Sequence, residues 1–154
     1  MDHALLNHNN GSGKGSKQPA IGIQKVLTDA STTLRNSGVD SPRLDAEILL
    51  GQILGIPRSQ LYANLKEPID PKNLKRFHKL LNKRARRIPL QYLTGHTEFM
   101  SLDFLVKKGI FIPRPETELA VEAVLERANV SVALKILDIG TGCGNIAISI
   151  AVGL

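Results

Sequence analysis

The 154-residue chain has no tryptophan, and aromatic residues make up only 4% of it. Its single cysteine, Cys143, excludes an intramolecular disulfide framework and fits a reducing compartment. No apolar run approaches the ~20 residues of a membrane span. The start of the chain also lacks the apolar core of a signal peptide: residues 3–17 are polar and glycine-rich around Gly11-Ser12-Gly13-Lys14-Gly15-Ser16. That run has no strand before it, so it does not read as a phosphate loop, and residues 1–19 are expected to be a disordered tail. His3, His8, His78 and His96 have neither metal-ligand spacing nor cysteine partners, so no metal site is expected. These absences suit a cytoplasmic protein without a membrane partner.

What is present is 42% apolar, enough for a core, in a length that allows one or two domains. Residues 20–88 read as a helical bundle. Ile23, Val26, Leu27, Ala30 and Leu34 fall at helical spacing, and Gly38 is a terminator. Ser41-Pro42 is a helix start, a hydroxyl cap followed by a residue that needs no N–H. Leu44, Ile48, Leu49, Ile53 and Leu54 are the expected buried face of that helix, which Gly55 ends; a short helix follows around Arg58 to Asn64. Asp70-Pro71 repeats the start signal, with Leu74, Phe77, Leu81 and Ala85 as the apolar face. This last helix carries charge of one sign. Lys72, Lys75, Arg76, Lys79, Lys83, Arg84, Arg86 and Arg87 stand there with no acid, while the chain as a whole is +6. Such a face is either simply solvated or steers an acidic partner. No aromatic side chain interleaves the cations, which argues against single-strand stacking.

Residues 89–113 read as a linker. Leu102, Phe104 and Val106 alternate, Lys107-Lys108-Gly109 is a turn signal, and Ile110 and Ile112 alternate again, which predicts a β-hairpin over 97–112. Tyr92 is expected to pack at the junction. Pro113 and Pro115 fix an extended bend, and Glu116 and Glu118 fall in the first turn of a helix to about Arg127, where carboxylates suit the helix dipole.

The densest chemical signal is Ile136-Leu137-Asp138-Ile139-Gly140-Thr141-Gly142-Cys143-Gly144-Asn145. A short apolar run, expected as a strand over 135–139, ends beside an acid. A glycine-rich turn and an apolar helix start at Ile146 follow. Glycine allows a tight turn at positive φ, and the new helix offers unpaired N–H groups to a ligand. The order G-x-G-x-G differs from the dinucleotide fingerprint G-x-G-x-x-G, and no Lys-Ser/Thr follows as in a phosphate loop. The pattern looks like the first motif of S-adenosylmethionine-dependent methyltransferases. Cys143 has no His or Lys neighbour in sequence to lower its pKa and reads as a loop filler.

Three further blocks narrow the resemblance. They are Ser41-Pro42-Arg43-Leu44-Asp45-Ala46-Glu47, Pro89-Leu90-Gln91-Tyr92-Leu93-Thr94-Gly95 with Glu98-Phe99-Met100-Ser101-Leu102-Asp103-Phe104, and Ile112-Pro113-Arg114-Pro115-Glu116-Thr117-Glu118. In this order and spacing, over about residues 20–154, the chain resembles the bacterial peptide-chain release factor glutamine methyltransferases, the PrmC/HemK family. Met100-Ser101 departs from the aromatic and glycine frequent there, and His96 stands where an acid is common.

The resemblance implies an α+β chain. It would consist of an N-terminal helical bundle that docks class-one peptide chain release factors, a hairpin linker, and over 114–154 the first strand-loop-helix of a class I, Rossmann-like methyltransferase domain. It implies S-adenosyl-L-methionine as cofactor, held by Asp138, Gly140, Thr141, Gly142, Cys143, Gly144 and Asn145, with Pro113, Arg114 and Glu118 walling the pocket. Asp138 would order the methionine end. The family's Asn-Pro-Pro-Tyr motif, which grips the substrate glutamine, does not occur in these 154 residues. The expectation is therefore an incomplete methyltransferase domain, inactive alone, with no catalytic residue assigned. Nucleic acid is not expected as direct substrate. A non-catalytic docking module, or a methyltransferase acting on a ribosomal-protein glutamine or DNA adenine, are the alternatives.

Overall fold

The computed structural model describes residues 21–128 and 134–154, so the expected tail over 1–19 lies outside the described residues. The element order is α1 (Ile23–Asn36), α2 (Pro42–Leu54), α3 (Arg58–Ala63), α4 (Pro71–Ala85), α5 (Leu90–Thr94), β1 (His96–Phe99), β2 (Leu102–Leu105), a 3-10 turn (Pro115–Thr117), α6 (Glu118–Arg127) and α7 (Asn145–Gly153). The architecture is helical with one small antiparallel two-stranded sheet, an α+β arrangement.

The bundle forms because its helices have apolar faces to bury against one another. On α1 the predicted Ile23, Val26, Leu27, Ala30 and Leu34 are all buried. Its first amides are satisfied by another loop: Ile23 N donates to Glu67 O at 3.0 Å and Gln24 N to Leu65 O at 2.9 Å. Helix α4 starts as read, with Asp70 Oδ1 accepting from Lys72 N at 2.7 Å and from Asn73 N at 3.4 Å. Phe77 and Leu81 on its inner face close the core, packed with Leu49, Leu50 and Leu61. Removing a side chain such as Phe77 from this setting costs roughly 3–5 kcal/mol.

Helix α2 departs from expectation. Ser41 makes no side-chain cap, although Pro42 does open the helix. Leu44 is 39% exposed, whereas Asp45, Ala46, Glu47, Leu49, Leu50 and Gly51 are buried. The helix packs against α1, α3, α4 and α5, so a single apolar stripe does not describe its environment. Gly51 is the point of closest approach: a Cβ there would lie 2.9 Å from Ile56 O. Gly55, at φ 68, then turns the chain back, as its left-handed position requires.

Two buried carboxylates hold α2 in place. Asp45 Oδ2 accepts from Arg84 Nε at 2.6 Å, and Arg84 Nη1 also donates to Ile88 O at 3.2 Å. Glu47, fully buried, accepts from Arg43 Nε at 2.6 Å, Arg58 Nη2 at 2.7 Å and Tyr62 Oη at 2.6 Å. Burial alone pushes the Glu47 carboxyl up. The hydrogen bonds from Tyr62, Arg58 and Arg43 outweigh it and hold the group below its ordinary value.

The hairpin sits one turn earlier than the sequence suggested. Strands β1 and β2 pair His96↔Leu105 through Phe99↔Leu102, so the turn residues are Met100 and Ser101. Both are left-handed, with φ of 51 and 59. A two-residue hairpin turn of this kind fits the strand twist but normally takes Asn-Gly. Each non-glycine residue there costs roughly 1–2 kcal/mol. Lys107–Gly109 is a turn, with Ile110 N donating to Lys107 O at 3.0 Å, but no strand follows it. The expected strand at 135–139 is likewise not formed. Among the described residues it has no ladder partner, and Leu137 and Ile139 are exposed. A lone strand has nothing to satisfy its backbone groups.

Phe99 and Phe104 of the hairpin meet Val121 of α6 and Ile150 of α7 in a second, smaller core. Met100, Leu102, Leu125, Cys143 and Ile146 pack at its edge.

Candidate functional site

The glycine turn is built as its composition demands. Gly140, Gly142 and Gly144 have φ of 78, 60 and 82, a region closed in practice to most side chains. Gly144 N donates to Thr141 O at 2.8 Å and closes the turn. Gly144 then serves as N-cap of α7 with no side-chain cap, and the first intrahelical bond is Ile148 N to Gly144 O at 2.9 Å. The amides of Asn145, Ile146 and Ala147 therefore head the helix without an intrahelical acceptor, a setting suited to an electron-rich ligand atom. A Cβ on Gly140 would meet nothing within 4 Å, and one on Gly142 only Gly140 O at 3.9 Å. It is the backbone conformation, not crowding within the protein, that calls for glycine at these two positions.

Asp138 stands at the head of this turn. Its Oδ2 is shielded and has no hydrogen-bond partner among the described residues. A buried carboxylate oxygen is costly without a donor. Cys143 is half-buried against the second core, with Sγ 3.6 Å from Asn145 Oδ1, which suits the role of filler.

The other three sequence candidates make contacts of their own. Pro113 is buried and Arg114 exposed, with the guanidinium 5.4 Å from the centroid of the Phe111 ring. They line a cleft of about 400 Å³ with Gln91, Tyr92, Phe111, Ile112 and Pro115, and no residue of the glycine turn lines it. Glu118 is engaged across the fold: its Oε1 accepts from Met100 N at 2.6 Å. Tyr92 does more than pack at the junction. Its hydroxyl donates to Ile110 O at 2.6 Å and ties α5 to the segment before Pro113.

On α4 and the two residues after it, seven of the eight cations are exposed: Lys72, Lys75, Arg76, Lys79, Lys83, Arg86 and Arg87. Arg84 is not a free surface charge, because its pair with Asp45 leaves the two side chains only 16% and 7% exposed. Sequence reasoning missed the Asp45 and Glu47 clusters. Only the Arg43–Glu47 spacing of four on one helix hinted at them.

Comparison with known proteins places these observations. Residues 25–95 match the PrmC N-terminal domain family. A protein of Moorella thermoacetica named release factor glutamine methyltransferase is 47% identical over 129 residues, covering 84% of this chain and 46% of the relative. One of the same name from Geobacter sulfurreducens is 43% identical over 129 residues, covering 84% and 45%. A bifunctional methyltransferase of Rickettsia conorii is 35% identical over 153 residues, covering 83% and 29%. The chain thus spans about half the length, or less, of the curated relatives it matches.

Proposed function

We propose, for a chain whose residues 25–95 belong to the PrmC N-terminal domain family and whose relatives are named for glutamine methylation of release factors, that it is the front part of such a methyltransferase. In this reading residues 20–88 dock a class-one release factor. Residues 89–113 link, and 114–154 begin a Rossmann-like domain that takes S-adenosyl-L-methionine. The observation that carries the reading is the left-handed triple-glycine turn opening α7 just after Asp138, whose Oδ2 has no hydrogen-bond partner among the described residues.

The chemistry asks little covalent work of the protein. The cofactor supplies, when bound, a methyl group on a positively charged sulfur. Transfer to the substrate amide would replace one N–H hydrogen by methyl, the sulfur leaving as a neutral thioether with the bonding pair and the proton passing to water. Asp138 is assigned to the amino group of the cofactor's methionine end. Gly140 to Gly144 let the main chain approach, and the free amides heading α7 face electron-rich atoms. No residue among the 154 is assigned to the substrate amide. Chain 1–154 is therefore read as supplying docking and part of one binding wall, without turnover by itself.

The test combines two measurements on the chain. A release factor bearing its Gly-Gly-Gln loop should be retained by it without being methylated. S-adenosylmethionine should perturb residues 138–145 only weakly, at millimolar concentration, because little ligand surface is buried. That perturbation should vanish in Gly142→Val. Methyl transfer by the chain, or an unchanged response in Gly142→Val, would overturn the assignment.

A further inference from the structure

The hairpin tip has a property that the proposed function does not use. Met100 and Ser101 both sit at positive φ without being glycine, so the turn does not hold itself by local preference. It is held from outside. Glu118, the first residue of α6, reaches back eighteen residues, and its Oε1 accepts from Met100 N at 2.6 Å. The Met100 side chain in turn packs at the edge of the Phe99, Phe104, Val121 and Ile150 core. Cys143 and Ile146 pack against the same core, and they lie on either side of Gly144 in sequence, the last glycine of the turn and the N-cap of α7. The Glu118 carboxylate therefore fixes the Met100 amide, and the Met100 side chain shares one small core, Phe99, Phe104, Val121 and Ile150, with Cys143 and Ile146.

We propose that Glu118 is a positioning residue for the glycine turn: it locks the strained Met100-Ser101 corner by accepting from the Met100 amide, and the locked corner holds the Phe99, Phe104, Val121 and Ile150 core against which Cys143 and Ile146 pack. In this role Glu118 acts through Met100. The inference rests on the reading of 138–145 as the cofactor turn for its functional meaning, but its mechanical part can be measured without any ligand.

A simpler role for Glu118 is a carboxylate at the helix N-terminus, serving the dipole of α6. Two variants separate the two roles. Glu118→Gln keeps an oxygen able to accept from Met100 N but removes the charge, whereas Glu118→Ala removes both. Ser101→Gly relieves one corner of the turn and should make the lock less necessary.

The experiment is amide exchange and chemical-shift mapping by NMR on the whole chain. In Glu118→Ala, Met100 N–H should exchange about tenfold faster or more, as expected on losing a hydrogen bond to a charged acceptor. The Gly144 amide, bonded to Thr141 O, should lose protection with it, while Leu27 and Leu49 of the bundle stay unchanged. Glu118→Gln should behave like the parent chain, and Ser101→Gly should restore most of the Gly144 protection in the Glu118→Ala background.

Three results would overturn the proposal: an unmoved glycine turn in Glu118→Ala, a Gln variant indistinguishable from Ala, or no rescue by Ser101→Gly. A final arm titrates S-adenosylmethionine. If the parent chain shows no response at 138–145 while the exchange pattern holds, the cofactor reading fails and the lock stands. If the parent responds and Glu118→Ala does not, both stand together.

Discussion

The two apolar cores of this protein are finished to different degrees. In the bundle, thirteen apolar residues from four helices and their connections are buried together, and only Ile21, Leu44 and Tyr62 are large apolar side chains left exposed. From His96 onward, the core has four buried side chains, Phe99, Phe104, Val121 and Ile150, while eleven large apolar side chains are exposed among the described residues. They include Leu119 and Val124 on α6 and Ile148 and Val152 on α7, the outer sides of helices whose inner sides bury Val121 and Ile150. The bundle reaches closure through contacts among neighbouring helices. The second core has helices that are apolar on more sides than one hairpin can cover, and surfaces of that kind are usually matched to further protein.

The sharpest way to break the comparison is to reverse one charge inside the bundle. Arg84→Glu places two carboxylates together where Asp45 is already buried, and should cost at least about 3–5 kcal/mol. Loss of the cooperative urea transition followed by circular dichroism is the expected result. A variant as stable as the parent would show that the pair carries no weight. Lys79→Glu and Lys83→Glu on the exposed face should leave the same transition within about 0.5 kcal/mol, and they remain the proper probes of docking to an acidic partner.

Next in size is acid. The Glu47 carboxyl is held below its ordinary value, so it contributes stability that is fully present above the unfolded glutamate pKa of about 4.3. That contribution is lost as pH falls through the lower, folded value. Glu47→Gln should cost about 1–3 kcal/mol at neutral pH and flatten the decline below pH 4.3, read from urea midpoints across pH. An equally steep decline in the variant would move the cause to another carboxylate.

Ser101→Gly should be smaller and opposite in sign, a gain of about 1 kcal/mol confined to the hairpin and its core. Protection of the Phe99 and Phe104 amides would report it, with bundle protection unchanged. The smallest effect is expected at the open end. Leu137→Ser and Ile139→Ser should change stability by no more than about 0.5 kcal/mol and lower dye binding to exposed apolar surface. A cost comparable to that of Phe77→Ala would mean that the second core is better closed than it looks.

How much of this was legible from the residues follows from the range of the forces involved. The start of α4 is a local event, and Asp70-Pro71 does what its chemistry predicts. The left-handed glycines at 140, 142 and 144 were readable for the same reason. The hairpin was misplaced because Gly109 gives a strong local turn signal, whereas Met100-Ser101 gives none and is held by Glu118 from another element. Likewise Asp45 finds Arg84 thirty-nine residues away, a pairing that no spacing rule announces. The short helix α5 went unread because five residues after a proline present no full period. The strand at 135–139 was sensed as apolar, but a strand exists only with a partner.

Gly51 has a practical consequence for anyone seeking a hardier version of this protein. A glycine inside a helix is the usual first target for replacement by alanine, since alanine favours the helical state by about 1 kcal/mol. Here the added methyl would arrive 2.9 Å from the carbonyl oxygen of Ile56, on the stretch of backbone that folds back from Gly55. The rule of thumb would choose the one glycine of α2 that has no room, and a library screened for heat resistance should return glycine at 51 however many alanines it is offered.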